Sequence, residues 1–112
     1  MSVSVLTDEV TAVELKHWID EGLDLQIVDV REPHEFEKAR LPDSKLIPLG
    51  QIVSRAAEID PSRDTVVHCK AGGRSAKAIS ALKEAGFAGH LINLKGGILA
   101  WSRDVDRDVP LY

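Results

Sequence analysis

The chain reads as an α/β domain with a largely parallel sheet, and three observations predict it. Strand-like and helix-like segments alternate along its length. Ile27-Val28 and Val66-Val67 are continuously apolar, as in strands covered on both faces. Three polar turns, at Asp29-Val30-Arg31-Glu32, Cys69 and Lys95-Gly96-Gly97, each follow a strand-like run. In parallel sheets ligands bind beyond the carboxyl ends of the strands, so the three turns are expected to share one edge.

Taken in order, Thr11-Ala12-Val13-Glu14 has capping-box form, a Thr followed three residues later by Glu. The helix it starts places Leu15, Trp18 and Ile19 on one face, with Trp18 as a core anchor, and Gly22 stops it. Leu25 to Val30 is a short apolar strand. Pro33 opens a brief helix through Glu37, at a position where a missing N–H costs nothing. Lys45-Leu46-Ile47 reads as a strand, and Leu49 to Ile59 as a helix carrying Ile52, Val53 and Ala56. Thr65-Val66-Val67-His68 is the strand that leads to Cys69. Ser75 opens an amphipathic helical segment. Leu91 to Leu94 is the last strand, and Gly96-Gly97 precedes a helix with Ile98, Leu99 and Trp101.

At 112 residues the chain is expected to form one domain spanning 1–112, with no internal repeat or linker. Its apolar fraction of 44% is ordinary for a soluble protein, and no run approaches the roughly 18 residues of a membrane span. Met1-Ser2-Val3-Ser4-Val5 lacks the basic and apolar regions of a signal peptide, so none is expected. A net charge of −4 argues against general nucleic-acid binding, while Lys70, Arg74, Lys77 and Arg31 offer a local basic rim. The four histidines show no metal-ligand spacing, so no metal is expected. A single cysteine excludes an internal disulfide and an internal resolving thiol, and fits a reducing cytoplasm.

That cysteine is the candidate reactive centre. Cys69 ends an apolar β-branched run, a short glycine-containing loop follows, and a helix then begins. Strand, tight loop and helix start bring backbone N–H groups together, and the helix N-terminus adds partial positive charge. A thiol so placed loses its proton easily, and the thiolate is the nucleophile. Gly72 and Gly73 permit positive φ and close backbone approach, and Arg74 adds a cation. Inert packing is the alternative for a lone cysteine, but packing has no need of that loop.

The three turns together resemble the rhodanese family of sulfurtransferases. The matching residues are Val28-Asp29-Val30-Arg31-Glu32-Pro33-His34-Glu35-Phe36, then Cys69-Lys70-Ala71-Gly72-Gly73-Arg74-Ser75, then Lys95-Gly96-Gly97-Ile98-Leu99-Ala100-Trp101, in matching order and separation. The resemblance covers nearly the whole chain. It implies a central five-stranded parallel sheet flanked by helices on both faces, with Cys69 at the base of a cradle-shaped loop. It also implies that the Cys69 thiolate takes a sulfane sulfur, becomes a persulfide, and passes the sulfur to a nucleophilic or activated acceptor, with no cofactor. Lys70, Ala71, Gly72, Gly73, Arg74 and Ser75 would bind the substrate, and Lys70 and Arg74 would steer anionic donors. Asp29, Arg31 and Glu35 are expected to brace this edge as a structural ion-pair network. His68 is expected to point away from Cys69 across the sheet, packed or hydrogen-bonded and not acting as a base.

One stretch departs from the family. Many relatives carry Gly-His-Ile-Pro-Gly-Ala where this chain has Ala39-Arg40-Leu41-Pro42-Asp43-Ser44, and no catalytic role is assigned to it. Arg40-Leu41-Pro42 and the tail Trp101, Asp104-Val105-Asp106, Pro110-Leu111-Tyr112 resemble the C-terminal rhodanese domains of fused adenylyltransferase/sulfurtransferase proteins. Those load sulfur onto ubiquitin-like carriers for molybdopterin, thiamine or tRNA thiolation. The resemblance therefore implies small sulfur anions such as thiosulfate as partners, together with a cysteine desulfurase or a ubiquitin-like sulfur carrier. A free-standing protein and a domain of a longer chain are equally compatible with it.

Two other readings compete. A cysteine phosphatase or arsenate reductase loop begins His-Cys and closes on Arg, but it has five intervening residues where Cys69 and Arg74 enclose four. A tighter ring suits one sulfur atom better than a tetrahedral oxyanion, and no Asp nearby in sequence offers itself as general acid. A non-catalytic interaction module is the second, distinguished by an inert thiol.

Overall fold

The computed structural model describes residues 7–112, so the expectation about Met1 to Val5 lies outside the described residues. The elements are β1 (Glu9–Val10), α1 (Ala12–Asp20), β2 (Leu25–Asp29), α2 (Pro33–Lys38), β3 (Ser44–Leu46), β4 (Asp64–His68), α3 (Gly73–Glu84), β5 (Leu91–Leu94) and α4 (Gly97–Asp104). The five strands pair in parallel in the order β1-β5-β4-β2-β3. Four of them lie within one residue of their sequence-predicted ends. β1 is the exception: two residues pair with Asn93 and Leu94, too few for any periodic pattern.

Alternation along the strands divides the core in two. Ile27, Val66, Ile92 and Leu94 pack with Leu15 of α1 and with Ile98 and Trp101 of α4. Val28, Val67 and Leu91 face Ala78, Ile79 and Leu82 of α3 on the other side. The Thr11 hydroxyl accepts from the Glu14 N–H at 3.2 Å while the Glu14 carboxylate accepts from the Thr11 N–H at 3.0 Å, closing the expected capping box. Trp18 is half-buried against the first core, beside the fully buried Leu15.

The predicted helix over Leu49 to Ile59 is not formed. Two 3-10 turns, Leu49–Gln51 and Ala56–Glu58, take its place. The segment follows Pro48 and contains Gly50, and the β-branched pair Ile52-Val53 is a weak helix former. The Ser54 hydroxyl donates to the Gln51 carbonyl, competing with a helical ladder. Ile52 and Ile59 are the buried anchors, whereas Val53 is 49% exposed.

Asp43 has φ +53, in the left-handed region that favours glycine. Ser44 secures that turn by donating to the Leu41 carbonyl at 2.8 Å. The C-terminal tail docks on the domain: Val109 packs on the first core, Ser102 donates to its carbonyl, and the Lys38 ammonium lies over the Tyr112 ring.

Candidate active site

Strand β4 sends Val67 and, just past its end, Cys69 toward α3, and His68 to the opposite face. Beyond Cys69 the chain turns sharply, with Gly72 at φ +117, and enters α3 at Gly73. Gly73 itself is helical, so of the two loop glycines only Gly72 uses the left-handed region.

The turn bends inward over the sulfur. The Gly72 N–H donates to Cys69 Sγ at 3.0 Å, and Ser75 Oγ lies 3.5 Å from it. The loop carbonyls are held outward by α4: the Ile98 N–H donates to the Cys69 carbonyl at 3.0 Å and the Leu99 N–H to that of Lys70 at 3.2 Å. This close approach needs Gly97. Its φ is +58, and a β-carbon there would sit 2.5 Å from the Cys69 carbonyl oxygen and closer still to that of Lys70. Gly96-Gly97 thus builds the cradle from behind, with Ile98 and Trp101 buried in the core as expected.

Burial pushes the Cys69 thiol up. Hydrogen bonds from the Ser75 hydroxyl and from the N–H groups of Ser75, Gly72 and Ala71 outweigh that effect, holding it below the ordinary thiol value. The residue is only 1% exposed, so the sulfur sits at the bottom of the loop.

Asp29, Arg31 and Glu35 lie together behind the loop, and one expectation is corrected. Arg31 is fully buried and does not join a basic rim. Its guanidinium takes the Asp29 carboxylate bidentately, Nε to Oδ1 at 3.0 Å and Nη2 to Oδ2 at 2.7 Å, and reaches the carbonyls of Glu35 and Ala39. Asp29, only two residues earlier, draws the arginine inward. Arg31→Leu strands that carboxylate in the core and is expected to cost about 3–5 kcal/mol, measured by urea unfolding; the Asp29→Leu/Arg31→Leu double variant should recover much of the loss.

Glu35 links this brace to the loop that follows Cys69. Its carboxylate accepts both terminal nitrogens of Arg74, at 2.7 and 2.9 Å, and the Glu32 N–H at 3.0 Å. The Arg74 hydrogen bonds hold its pKa down to about 2. A depressed carboxylate contributes stability that is full above its ordinary value of 4.5 and is lost as pH falls toward 2. Over that window the wild type is expected to lose on the order of 2–3 kcal/mol more than Glu35→Gln, read from denaturant midpoints at successive pH values.

His68 is buried, and its Nδ1 hydrogen-bonds the Cys69 carbonyl at 3.2 Å. Burial holds the imidazole below its usual pKa, so it stays neutral. It is a packed histidine across the sheet from the thiol. Lys70 and Lys77 are exposed near the loop, and Arg74 is half-buried on Glu35. Asn93 was missed by sequence reasoning. Its side chain reaches both Ser75 and Gly72, and the signal was available: one amide interrupts the apolar run Leu91-Ile92-Asn93-Leu94. Among the described residues no group of three or more His, Cys, Asp or Glu is placed to hold a metal, and no helix is long and apolar enough to cross a membrane.

The model of the rhodanese-like domain family matches residues 11–104, and the chain belongs to that family. It is 38% identical over 105 residues to a Mycobacterium tuberculosis protein named probable adenylyltransferase/sulfurtransferase MoeZ. The match covers 92% of this chain but only 26% of MoeZ, so the chain spans about a quarter of that relative. A protein of Allochromatium vinosum named sulfurtransferase is 35% identical over 98 residues, covering 88% of this chain and 91% of its own. Among solved structures, a rhodanese-like domain protein from Staphylococcus aureus superimposes with a TM-score of 0.79 at 29% identity, over 95% of this chain and 99% of that one.

Proposed function

We propose that this chain is a sulfurtransferase that carries one sulfane sulfur on Cys69 as a persulfide. The observation that carries this reading is the cradle: a buried thiol with its pKa lowered by loop N–H groups, at the carboxyl edge of a parallel sheet. The Cys69 thiolate attacks the outer sulfur of a donor such as thiosulfate. A new S–S bond forms, the sulfur–sulfonate bond breaks, and sulfite leaves with the electron pair. An acceptor nucleophile then takes the outer sulfur, and the thiolate departs with the pair. Each half-reaction moves negative charge along one line of sulfur atoms, and the N–H groups of Ala71, Gly72 and Ser75 face that charge. No metal or organic cofactor enters either step.

Arg74 favours this over phosphate chemistry. An arginine that grips an oxyanion must turn its fork to the loop centre, whereas both forks of Arg74 engage Glu35. Its role is to pin the loop and supply positive charge near the sulfur, while exposed Lys70 meets the donor. The loop residues Lys70 to Ser75 form the donor site in this account, with Asp29, Arg31 and Glu35 behind it. The non-catalytic alternative gives no reason for a depressed thiol pKa.

In this account the acceptor class is a carrier protein with an activated C-terminus, which the adenylyltransferase/sulfurtransferase name of MoeZ supports, and the donors are thiosulfate or a cysteine desulfurase persulfide. A lone reduced thiol suits a reducing cytoplasm. The test is turnover of thiosulfate with cyanide as acceptor, read as thiocyanate, alongside hydrolysis of an aryl phosphate. Sulfur transfer without phosphatase activity is expected; the opposite pattern overturns the assignment.

A further inference from the structure

The Ser75 hydroxyl has one proton and three neighbours that could receive it. Asn93 Oδ1 lies 2.6 Å away, the Gly72 carbonyl 3.1 Å, and Cys69 Sγ 3.5 Å. The Gly72 carbonyl already accepts two donors, the Ala76 N–H at 3.2 Å and Asn93 Nδ2 at 3.4 Å, which occupies both of its lone pairs. The network assigns the Asn93 amide this way round, because a flipped amide would set its oxygen against that carbonyl. The oxygens of Ser75 and Asn93 therefore need the Ser75 proton between them. What Ser75 then presents to the sulfur is a lone pair, suited to accept from a thiol S–H.

From this geometry we infer that Asn93 is a positioning residue that competes with the Cys69 thiolate for the Ser75 proton and so sets how readily the thiol ionises. Asn93 is placed for it by register. It pairs with Val67 in the sheet and shares the α3 face with Leu91, beside the cradle. When Cys69 loses its proton, the Ser75 hydroxyl must leave Asn93 to donate to the sulfur. The backbone N–H of Gly72 is held by the turn and donates to the sulfur at 3.0 Å, so it takes no part in this exchange. The cradle thus has a fixed donor and a contested one. This keeps the thiolate from becoming so stable that it attacks sulfur slowly, because nucleophilicity falls with pKa. The inference rests on Cys69 being the sulfur carrier, but its test does not.

The other charges around the thiol are few. Arg74 of α3 acts on it, with Glu35 of α2 tied to that arginine. Lys70, Lys77 and Lys95 are exposed, and Asp29, Arg31 and His68 are buried on the far side of β2 and β4. None of them contacts Ser75 or Asn93 among the hydrogen bonds of the cradle.

The experiment is the pH dependence of Cys69 alkylation by iodoacetamide, a neutral reagent that needs no sulfur donor. Asn93→Leu, similar in size but without the acceptor, is expected to lower the alkylation midpoint by about half to one pH unit. Asn93→Ala should shift it in the same direction, which guards against a misfit leucine. In a Ser75→Ala background neither substitution should move the midpoint, since no hydroxyl proton remains to compete for. A midpoint that stays or rises in both Asn93 variants overturns the proposal, as does an equal fall with and without Ser75. Absence of sulfur transfer in the wild type, with the expected midpoints, would instead count against the function proposed above.

Discussion

Cys69→Ser is expected to lower sulfur transfer by about a thousandfold or more while leaving the fold in place. A serine hydroxyl cannot hold a sulfane sulfur, and its pKa lies far above any value the loop could depress into the neutral range. The substitution is small, and the site already offers its oxygen a backbone donor, the Gly72 N–H. Unfolding midpoints should move by no more than about 1 kcal/mol, so lost activity reads as lost chemistry. Thiocyanate formation by the variant at more than a few per cent of the wild-type rate contradicts the assignment.

Gly97→Ala is the second large effect, and it acts on structure and chemistry together. The residue sits at φ +58, and its β-carbon would collide with the backbone carbonyls of Cys69 and Lys70. Neither is a flexible side-chain end that could swing aside. Either α4 retreats, or the loop shifts and its N–H groups turn from the sulfur. A stability loss of about 3 kcal/mol or more is expected in urea, with the alkylation midpoint of Cys69 rising. Gly73→Ala is the matched control. That glycine is helical, and a β-carbon added there would meet nothing within 4 Å, so stability should change by no more than about 0.5–1 kcal/mol and the midpoint should hold. Equal behaviour of the two variants would remove the role given to α4.

The contrast between these glycines marks what the sequence conveyed. Val66-Val67 running into Cys69, with glycines and then an amphipathic segment, located the cradle because each feature is local. The continuous apolar runs in β2 and β4 likewise disclosed a sheet covered on both faces, while which residue faces which layer emerged only in the fold. Gly97 read only as part of a polar turn before a helix, since its partners, the carbonyls of Cys69 and Lys70, lie 28 and 27 positions away in the chain and meet it only after folding.

Errors followed from the same limit. Ile52, Val53, Ala56 and Ile59 fit a helical spacing, yet Pro48, Gly50 and a back-bonding Ser54 favoured two short turns. Arg31 looked like a surface cation because arginines usually are; Asp29 and two backbone carbonyls made burial feasible. Asn93 was legible in principle as one polar residue on an inward-facing strand position. Its meaning depends on Ser75, which a strand pattern cannot reveal.

The central claim is a sulfur held on Cys69, and intact-protein mass spectrometry after thiosulfate treatment tests it most directly. The account predicts a gain of about 32 Da that disappears on reduction and is absent from Cys69→Ser. No gain from thiosulfate or from a small-molecule persulfide, with Cys69 shown free by alkylation, would contradict it.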